Sequence, residues 1–330
     1  MHERRHEKYQ RQLAKKRRRG CAPRPWTFVV LILALGIGIY AVVSGNTNPE
    51  FITDWQPLSR IYSYNEIIPT ATPNPATATV ETRPTSTLAL PMVPISTQDI
   101  VNTGYLSLVN HQHKAPSDPA QELLVSAWPT VAVSRIEGMY LHNSALRAVS
   151  EMFDSARDQN VSGFFVSSAF RDFDHQANLY GDGSNSAYVM PPGHSEHQTG
   201  LAADILVTGI GMHEMANVPE GLWLQHNSYR YGLILRYPQG AEGITGINFE
   251  PWHFRYVGQV HAYYMTKRGF VLEEYIDYIN NHGQLSFEKN GETHHIFVQS
   301  PVDGMIYVPY GRQFTVSCNN KGDYIIWTTE

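Results

Sequence analysis

Residues 191–205 read PPGHSEHQTGLAADI. Proline and glycine open this segment and an apolar run closes it, which predicts a loop leading into a strand over Leu201–Val207. His197 and Asp204 stand seven residues apart, and Gly200 between them permits a tight approach. The sequence therefore predicts a strand carboxylate close to a loop histidine.

A second polar pair lies in the segment EPWH, where Glu250 and His253 are three residues apart. A catalytic zinc usually takes three protein ligands from His, Asp, Glu or Cys and leaves one position for water. His197, Asp204 and His253 would supply such a set, which leaves Glu250 as a general base toward the attacking water. Each pair also has an ordinary interpretation, a hydrogen-bonded histidine beside a solvated carboxylate. His194 is a rival ligand because it precedes His197 by three residues.

The surrounding chain mixes helical and strand patterns. Apolar residues three to four apart between Leu141 and Ala156 predict an amphipathic helix, and Val161–Ser167 predicts a buried strand. Further predicted elements are a short helix Asp172–Tyr180, a helix Glu220–Tyr231, a strand Gly232–Arg236, a turn or strand after Glu250, and helices Gln259–Lys267 and Leu272–Asn281. The elements do not alternate as regular βαβ units, so the predicted fold class is α+β.

The C-terminal residues 283–330 have a different character. An Asn290-Gly291 pair separates two strand-like runs, LSFEK and ETHHIFV, and is a hairpin signal. Three more strand-like runs follow, MIYVPY, RQFTVS and DYIIWTT. We expect a small β-rich appendage here, which covers one side of the preceding domain; binding of a polymer is the alternative role.

The N-terminal region separates positive charge from apolar residues. Residues 1–25 contain ten Lys or Arg and two Glu, whereas residues 26–330 contain 15 basic and 28 acidic residues. Trp26–Val43 has 18 residues without a charge, close to the roughly 20 that span a bilayer as a helix. Positive residues on one side place that side in the cytoplasm. We therefore expect a basic cytoplasmic tail (1–25) and a retained signal anchor (26–45), with a cleaved signal peptide as the alternative and no nucleic-acid binding.

Residues 46–99 are predicted to form a stalk. Eight Thr and five Pro fall between positions 70 and 97, and proline favours extended conformations.

Cys21 and Cys318 lie on opposite sides of the predicted membrane, so no disulfide joins them. A folded region without disulfides fits a bacterial surface better than a eukaryotic secreted protein. The predicted location is the bacterial cell membrane, single-pass, with the folded region outside the cytoplasm.

Five segments together resemble the successive signatures of one family. They are SSAFRDFDHQANLY, PPGHSEHQTGLAADI, YGLILRYP, ITGINFEPWHFRYVG and LEEYI. In this order they resemble the VanY-type D-alanyl-D-alanine carboxypeptidases, zinc peptidases related to VanX-type dipeptidases and to bacterial L,D-carboxypeptidases. The likeness covers roughly residues 105–279 and implies a zinc D-Ala-D-Ala-peptidase-like domain over residues 100–282.

The resemblance also implies roles for individual residues. It makes His197, Asp204 and His253 the ligands of one zinc ion and Glu250 the catalytic acid/base. Arg171 matches the arginine that stabilises the oxyanion of the tetrahedral intermediate, a task that suits a guanidinium because it stays charged and presents fixed donors.

Three more positions match groups that contact substrate. Gln176 would help to hold its terminal carboxylate, and Ser195 and Tyr237 would contact its backbone. Phe170 departs from the family, which commonly has tyrosine before the arginine, and the run after RYP lacks the usual lysines. Both differences bear on substrate preference and leave the metal set intact.

The implied activity is removal of the C-terminal D-Ala from peptidoglycan stem pentapeptides. The alternatives are an L,D-carboxypeptidase that acts on tetrapeptide stems and a non-catalytic wall-binding protein, which the intact set of ligands, base and arginine disfavours. The expected partners are the stem peptide and, through the N-terminal helix, the membrane. No obligate protein partner is expected.

Overall fold

The structure of this protein is a computed structural model. It describes residues 90–330 with the exception of Val101, Ser117, Asp118, Ala120 and Ile136. The predicted tail (1–25), signal anchor (26–45) and the stalk up to residue 89 lie outside the described residues. Across the part of the chain that is described, no helix is both long and apolar enough to cross a membrane.

Helices and strands alternate irregularly along the described residues. The strands are β1 (Met92–Ser96), β2 (Leu124–Ser126), β3 (Tyr140–His142), β4 (Phe164–Ser168), β5 (Ala202–Val207), β6 (Leu233–Leu235), β7 (His253–Tyr256), β8 (Gln284–Lys289), β9 (Glu292–Gln299), β10 (Met305–Pro309), β11 (Phe314–Cys318) and β12 (Tyr324–Thr329). The α-helices are α1 (Asn143–Asp158), α2 (Phe173–Tyr180), α3 (Pro219–Asn227), α4 (Glu242–Thr245), α5 (Gln259–Arg268) and α6 (Leu272–His282). This mixture confirms the predicted combination of helices and strands.

A central antiparallel sheet has the strand order β4-β5-β7-β6. Its register places Asp204 directly opposite His253 on the neighbouring strand. Side chains alternate between the two faces of a strand, so Ala203, Ile205 and Phe254 pack into one core while Asp204 and His253 share the other face. The sheet therefore brings two of the predicted ligands together.

Helix α1 packs against the apolar face of this sheet. It begins two residues after Leu141, which belongs to β3, and the His142 side chain accepts a hydrogen bond from the Ser144 amide at its start. Its buried residues recur at helical spacing and include Val149, Met152 and Phe153. The predicted amphipathic helix is therefore present, displaced slightly toward the C-terminus.

The C-terminal residues form a second antiparallel sheet with the order β11-β12-β9-β8. Asn290 and Gly291 both have positive φ at the turn between β8 and β9, as a type I′ hairpin requires. Leu285, Ile296 and Ile325 of this sheet share one hydrophobic core with helices α5 and α6. The strands lie against these two helices and bury their apolar side chains.

The stalk boundary at residue 99 was wrong. Met92–Ser96 forms β1, which pairs antiparallel with β10 from Met92 opposite Pro309 to Ser96 opposite Met305. Ile95 packs on the core that contains Ile306 and Val308. Proline is tolerated in an edge strand of this kind. The Thr/Pro-rich composition therefore predicted a stalk where the chain forms a short apolar strand.

Two further boundaries differ from the sequence analysis. Helix α3 ends at Asn227, and the predicted continuation Ser228–Tyr231 is a 3-10 helix. Strand β4 begins at Phe164 rather than Val161, because Gly163 with φ of 90° lies between them. Neither change moves a candidate site residue.

Candidate metal centre

His197 is held on a 3-10 helix, Glu196–Thr199, that ends at Gly200. Gly200 has φ of 70°, and a Cβ atom there would lie 2.7 Å from Leu124 Cδ2 and 3.2 Å from the His142 amide nitrogen. Only glycine fits this conformation and this approach without strain. The chain can then turn from His197 directly into strand β5.

The ring of His197 is oriented by a backbone carbonyl. Its Nδ1 lies 2.7 Å from the carbonyl oxygen of Ala169. A carbonyl can only accept a hydrogen bond, so Nδ1 carries the proton and Nε2 presents a lone pair. Nε2 lies 3.4 Å from Asp204 Oδ1.

Three ligand atoms converge in the buried space beside the central sheet. His253 Nδ1 lies 3.0 Å from the same Asp204 oxygen. Candidate ligand atoms of His197, Asp204 and His253 all lie within 4.8 Å of one another. In a tetrahedral zinc site with bonds of about 2.0–2.2 Å, ligand atoms are separated by roughly 3.3–3.5 Å. The donor types fit zinc, and the two distances to Asp204 Oδ1, 3.4 Å from His197 Nε2 and 3.0 Å from His253 Nδ1, are close to this separation.

Charge and burial shape the pKa values of these ligands. Burial, reinforced by the positive Arg171, lowers the pKa of His197 to about 4. Burial opposes ionisation of Asp204, but its interactions with His197 and His253 outweigh burial and hold its pKa well below the usual range. Burial also opposes protonation of His253, yet the carboxylates of Asp204 and Glu196 raise its pKa to about 9. The site thus concentrates negative charge where a cation would bind.

Glu250 stands beside the three ligands without being one of the converging set. Its Oε2 lies 3.7 Å from His253 Nδ1, and its backbone amide donates to the Tyr237 carbonyl. The side chain is buried, and this burial raises the pKa of its carboxyl to about 8, against the lowering effect of His253. A carboxylate with a pKa near neutrality can both accept and return a proton.

Arg171 follows strand β4 and is fixed by three contacts. Its amide donates to the His197 carbonyl, its Nε donates to Gln176 Oε1 at 2.9 Å, and its Nη1 donates to Ser168 Oγ at 2.9 Å. Burial lowers the pKa of Arg171, against the raising effect of the nearby Asp204 and Glu250 carboxylates. The guanidinium is therefore close to the acidic groups of the candidate metal centre.

Gln176 is fully buried on helix α2. Its oxygen accepts from Arg171, and its nitrogen donates to the Met190 carbonyl at 2.6 Å. Gln176 therefore orients Arg171, a contact that the sequence analysis did not predict.

The two remaining predicted residues also lie near the ligands. Tyr237 is buried, and its ring centroid is 4.9 Å from that of His253. Ser195 is buried at the start of the 3-10 helix that carries His197. By contrast, the rival ligand His194 points its Nδ1 at the Asn110 carbonyl, 2.7 Å away, and is not part of the metal-binding group.

A buried network of charged side chains beside the candidate metal centre was not predicted from the sequence. Its members are Glu196, Arg236, Arg255 and Glu273. Both arginines are fully buried. The sequence contains an indication of this network, because each arginine interrupts or borders a short apolar strand pattern, in LILRYP and HFRYVG. A buried charge of this kind needs a partner nearby.

Comparison with known proteins agrees with this geometry. The profile of the VanY family, described as D-alanyl-D-alanine carboxypeptidase, matches residues 138–259. The chain is 35% identical over 237 residues to the D-alanyl-D-alanine carboxypeptidase of Enterococcus faecium, with 70% of this chain and 77% of that protein covered. It is 37% identical over 185 residues to the putative carboxypeptidase YodJ of Bacillus subtilis (strain 168), with 52% and 67% covered.

A solved structure shows the same fold. The crystal structure of the vancomycin resistance D,D-dipeptidase VanXYg, in complex with a D-Ala-D-Ala phosphinate analog, superposes with a TM-score of 0.63 at 26% identity. The match covers 73% of this chain and 99% of that chain. From the matched profile, the extent of the Enterococcus faecium alignment and this shared fold, the chain belongs to the VanY family of D-alanyl-D-alanine carboxypeptidases.

Proposed function

We propose that this protein is a zinc-dependent D-alanyl-D-alanine carboxypeptidase that removes the terminal D-Ala from peptidoglycan stem pentapeptides. The observation that carries the proposal is the convergence of His197 Nε2, Asp204 Oδ1 and His253 Nδ1, with the Glu250 carboxyl beside them. Family membership supplies the reaction class, and this geometry supports a hydrolytic metal site in this chain.

Zinc held by these three atoms would polarise the scissile carbonyl and make water a stronger nucleophile near neutral pH. Glu250 would accept a proton from the attacking water and return it to the leaving amine of D-Ala. Its buried position beside His253 supports this role, because burial raises the pKa of its carboxyl to about 8, where the group can both accept and return a proton near neutral pH.

Arg171 would donate hydrogen bonds to the oxygen of the scissile carbonyl as negative charge develops there. It is preorganised by Gln176 and Ser168, so little reorganisation accompanies the reaction. We also propose that Gln176, Ser195 and Tyr237 contact the terminal part of the peptide. The contact of Gln176 with Arg171 and the packing of the Tyr237 ring beside that of His253 support this proposal.

The proposed substrate follows from the relatives. The Enterococcus faecium protein is named a D-alanyl-D-alanine carboxypeptidase, and the solved VanXYg dipeptidase binds a D-Ala-D-Ala phosphinate analog. We infer that the substrate is a peptide that ends in D-Ala-D-Ala.

The basic tail and the apolar run at Trp26–Val43 support a proposal that the catalytic unit is anchored to the bacterial membrane and works outside the cytoplasm.

Mass spectrometry of muramyl peptides tests the function. The full-length chain is incubated with a pentapeptide and, separately, a tetrapeptide, with and without a metal chelator. The proposal expects loss of one D-Ala from the pentapeptide alone, abolished by the chelator and restored by zinc. Cleavage of the tetrapeptide alone would contradict the proposed activity and indicate an L,D-carboxypeptidase. If neither peptide is cleaved in a metal-dependent way, a wall-binding role is favoured.

A further inference from the structure

Glu196 uses its two carboxylate oxygens differently. Oε1 accepts hydrogen bonds from Arg236 Nε at 2.8 Å and from Arg255 Nη1 at 2.9 Å. Oε2 is buried and has no hydrogen-bond partner among the described residues. It lies 3.6 Å from His253 Nε2, a second buried atom that lacks a partner within the same set of residues. The two atoms face each other across a gap slightly longer than a hydrogen bond.

The opposite side of the His253 ring faces the candidate metal centre. His253 Nδ1 lies 3.0 Å from Asp204 Oδ1. A metal ligand on Nδ1 requires that Nδ1 be unprotonated, so the neutral ring must carry its proton on Nε2. A buried N–H without an acceptor is costly, and Glu196 Oε2 is in position to accept this one.

Glu196 is itself held rigidly. Arg236 pairs with Glu273 through Nη1 at 2.9 Å and Nη2 at 2.6 Å. Arg255 Nη2 donates to the carbonyl oxygens of Tyr105 at 3.0 Å and Ser107 at 3.1 Å. The hydrogen bonds from these two fixed guanidinium groups therefore hold Oε1 of Glu196 in place, and its Oε2 faces His253.

We propose that Glu196 is a positioning residue for the metal centre, which fixes the tautomer and orientation of His253 so that Nδ1 is presented to the metal. Metal-ligating histidines commonly donate their other ring N–H to a carboxylate, and loss of that partner typically weakens metal affinity 10–100-fold. This inference rests on the proposed zinc site and adds the residue that prepares one ligand for it.

The substitution Glu196→Gln tests whether Glu196 orients His253 or only fills space, because glutamine has nearly the same shape and lacks the second acceptor oxygen. The two arginines only donate hydrogen bonds, so the amide oxygen of the new side chain stays with them and the amide nitrogen takes the place of Oε2. Two donors would then oppose each other at His253 Nε2. The ring would favour the tautomer with its proton on Nδ1, the wrong one for binding the metal.

The experiment is a zinc-affinity measurement on the full-length chain by competition with a chromophoric chelator. Glu196→Gln is expected to weaken zinc binding about 10–100-fold. The matched control is Glu274→Gln, the same chemical change on helix α6, where Glu274 accepts from the Val271 amide and lies outside the network. This control is expected to bind zinc within about twofold of wild type, since it removes no contact to a ligand.

A second measurement, on the wild-type chain, does not depend on the folding of any variant. Long-range ¹H–¹⁵N NMR of the zinc-loaded protein is expected to show His253 protonated on Nε2. Wild-type zinc affinity in folded Glu196→Gln, or an unprotonated Nε2 in the wild type, would overturn the positioning role. Failure of the wild type to bind zinc would instead overturn the proposed function.

Discussion

At His197 and His253, the partner of one ring nitrogen decides what the other nitrogen can do. The Ala169 carbonyl forces a proton onto His197 Nδ1, so Nε2 is available to a metal. The residue types and spacing in the sequence indicated these two histidines and Asp204 as candidate ligands only together with the family resemblance. They could not predict Ala169 or Glu196 as partners, because these contacts depend on how separate segments meet in space.

Arg171 allows a prediction at this scale. Arg171→Ala should lower kcat about 10²–10³-fold, the usual effect of removing one donor to a developing oxyanion. Zinc content should stay at the wild-type level, because Arg171 is not among the converging ligand atoms. Steady-state kinetics with metal analysis of the same sample checks both parts. An unchanged kcat would remove Arg171 from the proposed mechanism.

At the scale of single elements, the register of β5 against β7 creates the site. Asp204 and His253 become neighbours because they are paired residues on adjacent antiparallel strands. Hydrophobic periodicity predicted most helices and strands to within a few residues. It predicted less well where a glycine with positive φ ends or delays an element, as at Gly163, and where proline lies within a strand, as at Pro94 in β1.

The turn before β5 gives a second prediction. Gly200→Ala should lower the free energy of unfolding by about 1–3 kcal/mol, since a non-glycine residue at positive φ is strained. The new Cβ would also approach the backbone nitrogen of His142 at 3.2 Å. Urea denaturation of the metal-free protein measures the loss. Equal stability of the two proteins would show that this turn tolerates a side chain.

The junction of α5 and α6 gives a prediction of pH dependence. His261 is buried with its Nδ1 2.7 Å from the Tyr275 hydroxyl, and burial lowers its pKa to about 3. Below its ordinary value of about 6.5, the unfolded chain binds a proton at this site and the folded protein does not. His261 should therefore reduce stability as the pH falls from about 6.5 toward 3, by up to about 1.4 kcal/mol per pH unit.

His261→Gln tests this dependence, because glutamine can still hydrogen-bond Tyr275 and does not titrate. The free energy of unfolding is measured by urea at pH 6.5, 5.5 and 4.5. The variant should lose stability less steeply than the wild type. Identical slopes would mean that His261 binds its proton in the folded state as well.

At the scale of the whole molecule, the C-terminal sheet and the helices near the site depend on a common core. Ile276 and Ile279 of α6 pack with Leu285, Ile296 and Ile325 of the sheet. Helix α6 also carries Glu273, which holds Arg236 and so contributes to the network around Glu196. The change of pattern after residue 283 predicted the strands, but only the tertiary structure shows that they share a core with α5 and α6.

A core substitution in the C-terminal sheet should therefore affect the described unit as a whole. Ile296→Ala should cost about 2–5 kcal/mol, as is usual for truncating a buried isoleucine. Calorimetry should show one transition shifted to lower temperature, and Val302→Ala, at a position that is 71% exposed, should leave it unchanged. Two separate transitions, with only one of them shifted, would contradict a shared core.

The most direct test of the proposed mechanism is the rate of D-Ala release from a muramyl pentapeptide by zinc-loaded wild type and Glu250→Gln, with bound zinc measured in each. We expect equal zinc content and a rate at least about 10²-fold lower in the variant, because the proton acceptor and donor is lost while the three proposed ligands remain. A variant that releases D-Ala at the wild-type rate would contradict the assignment of Glu250 and the mechanism built on it.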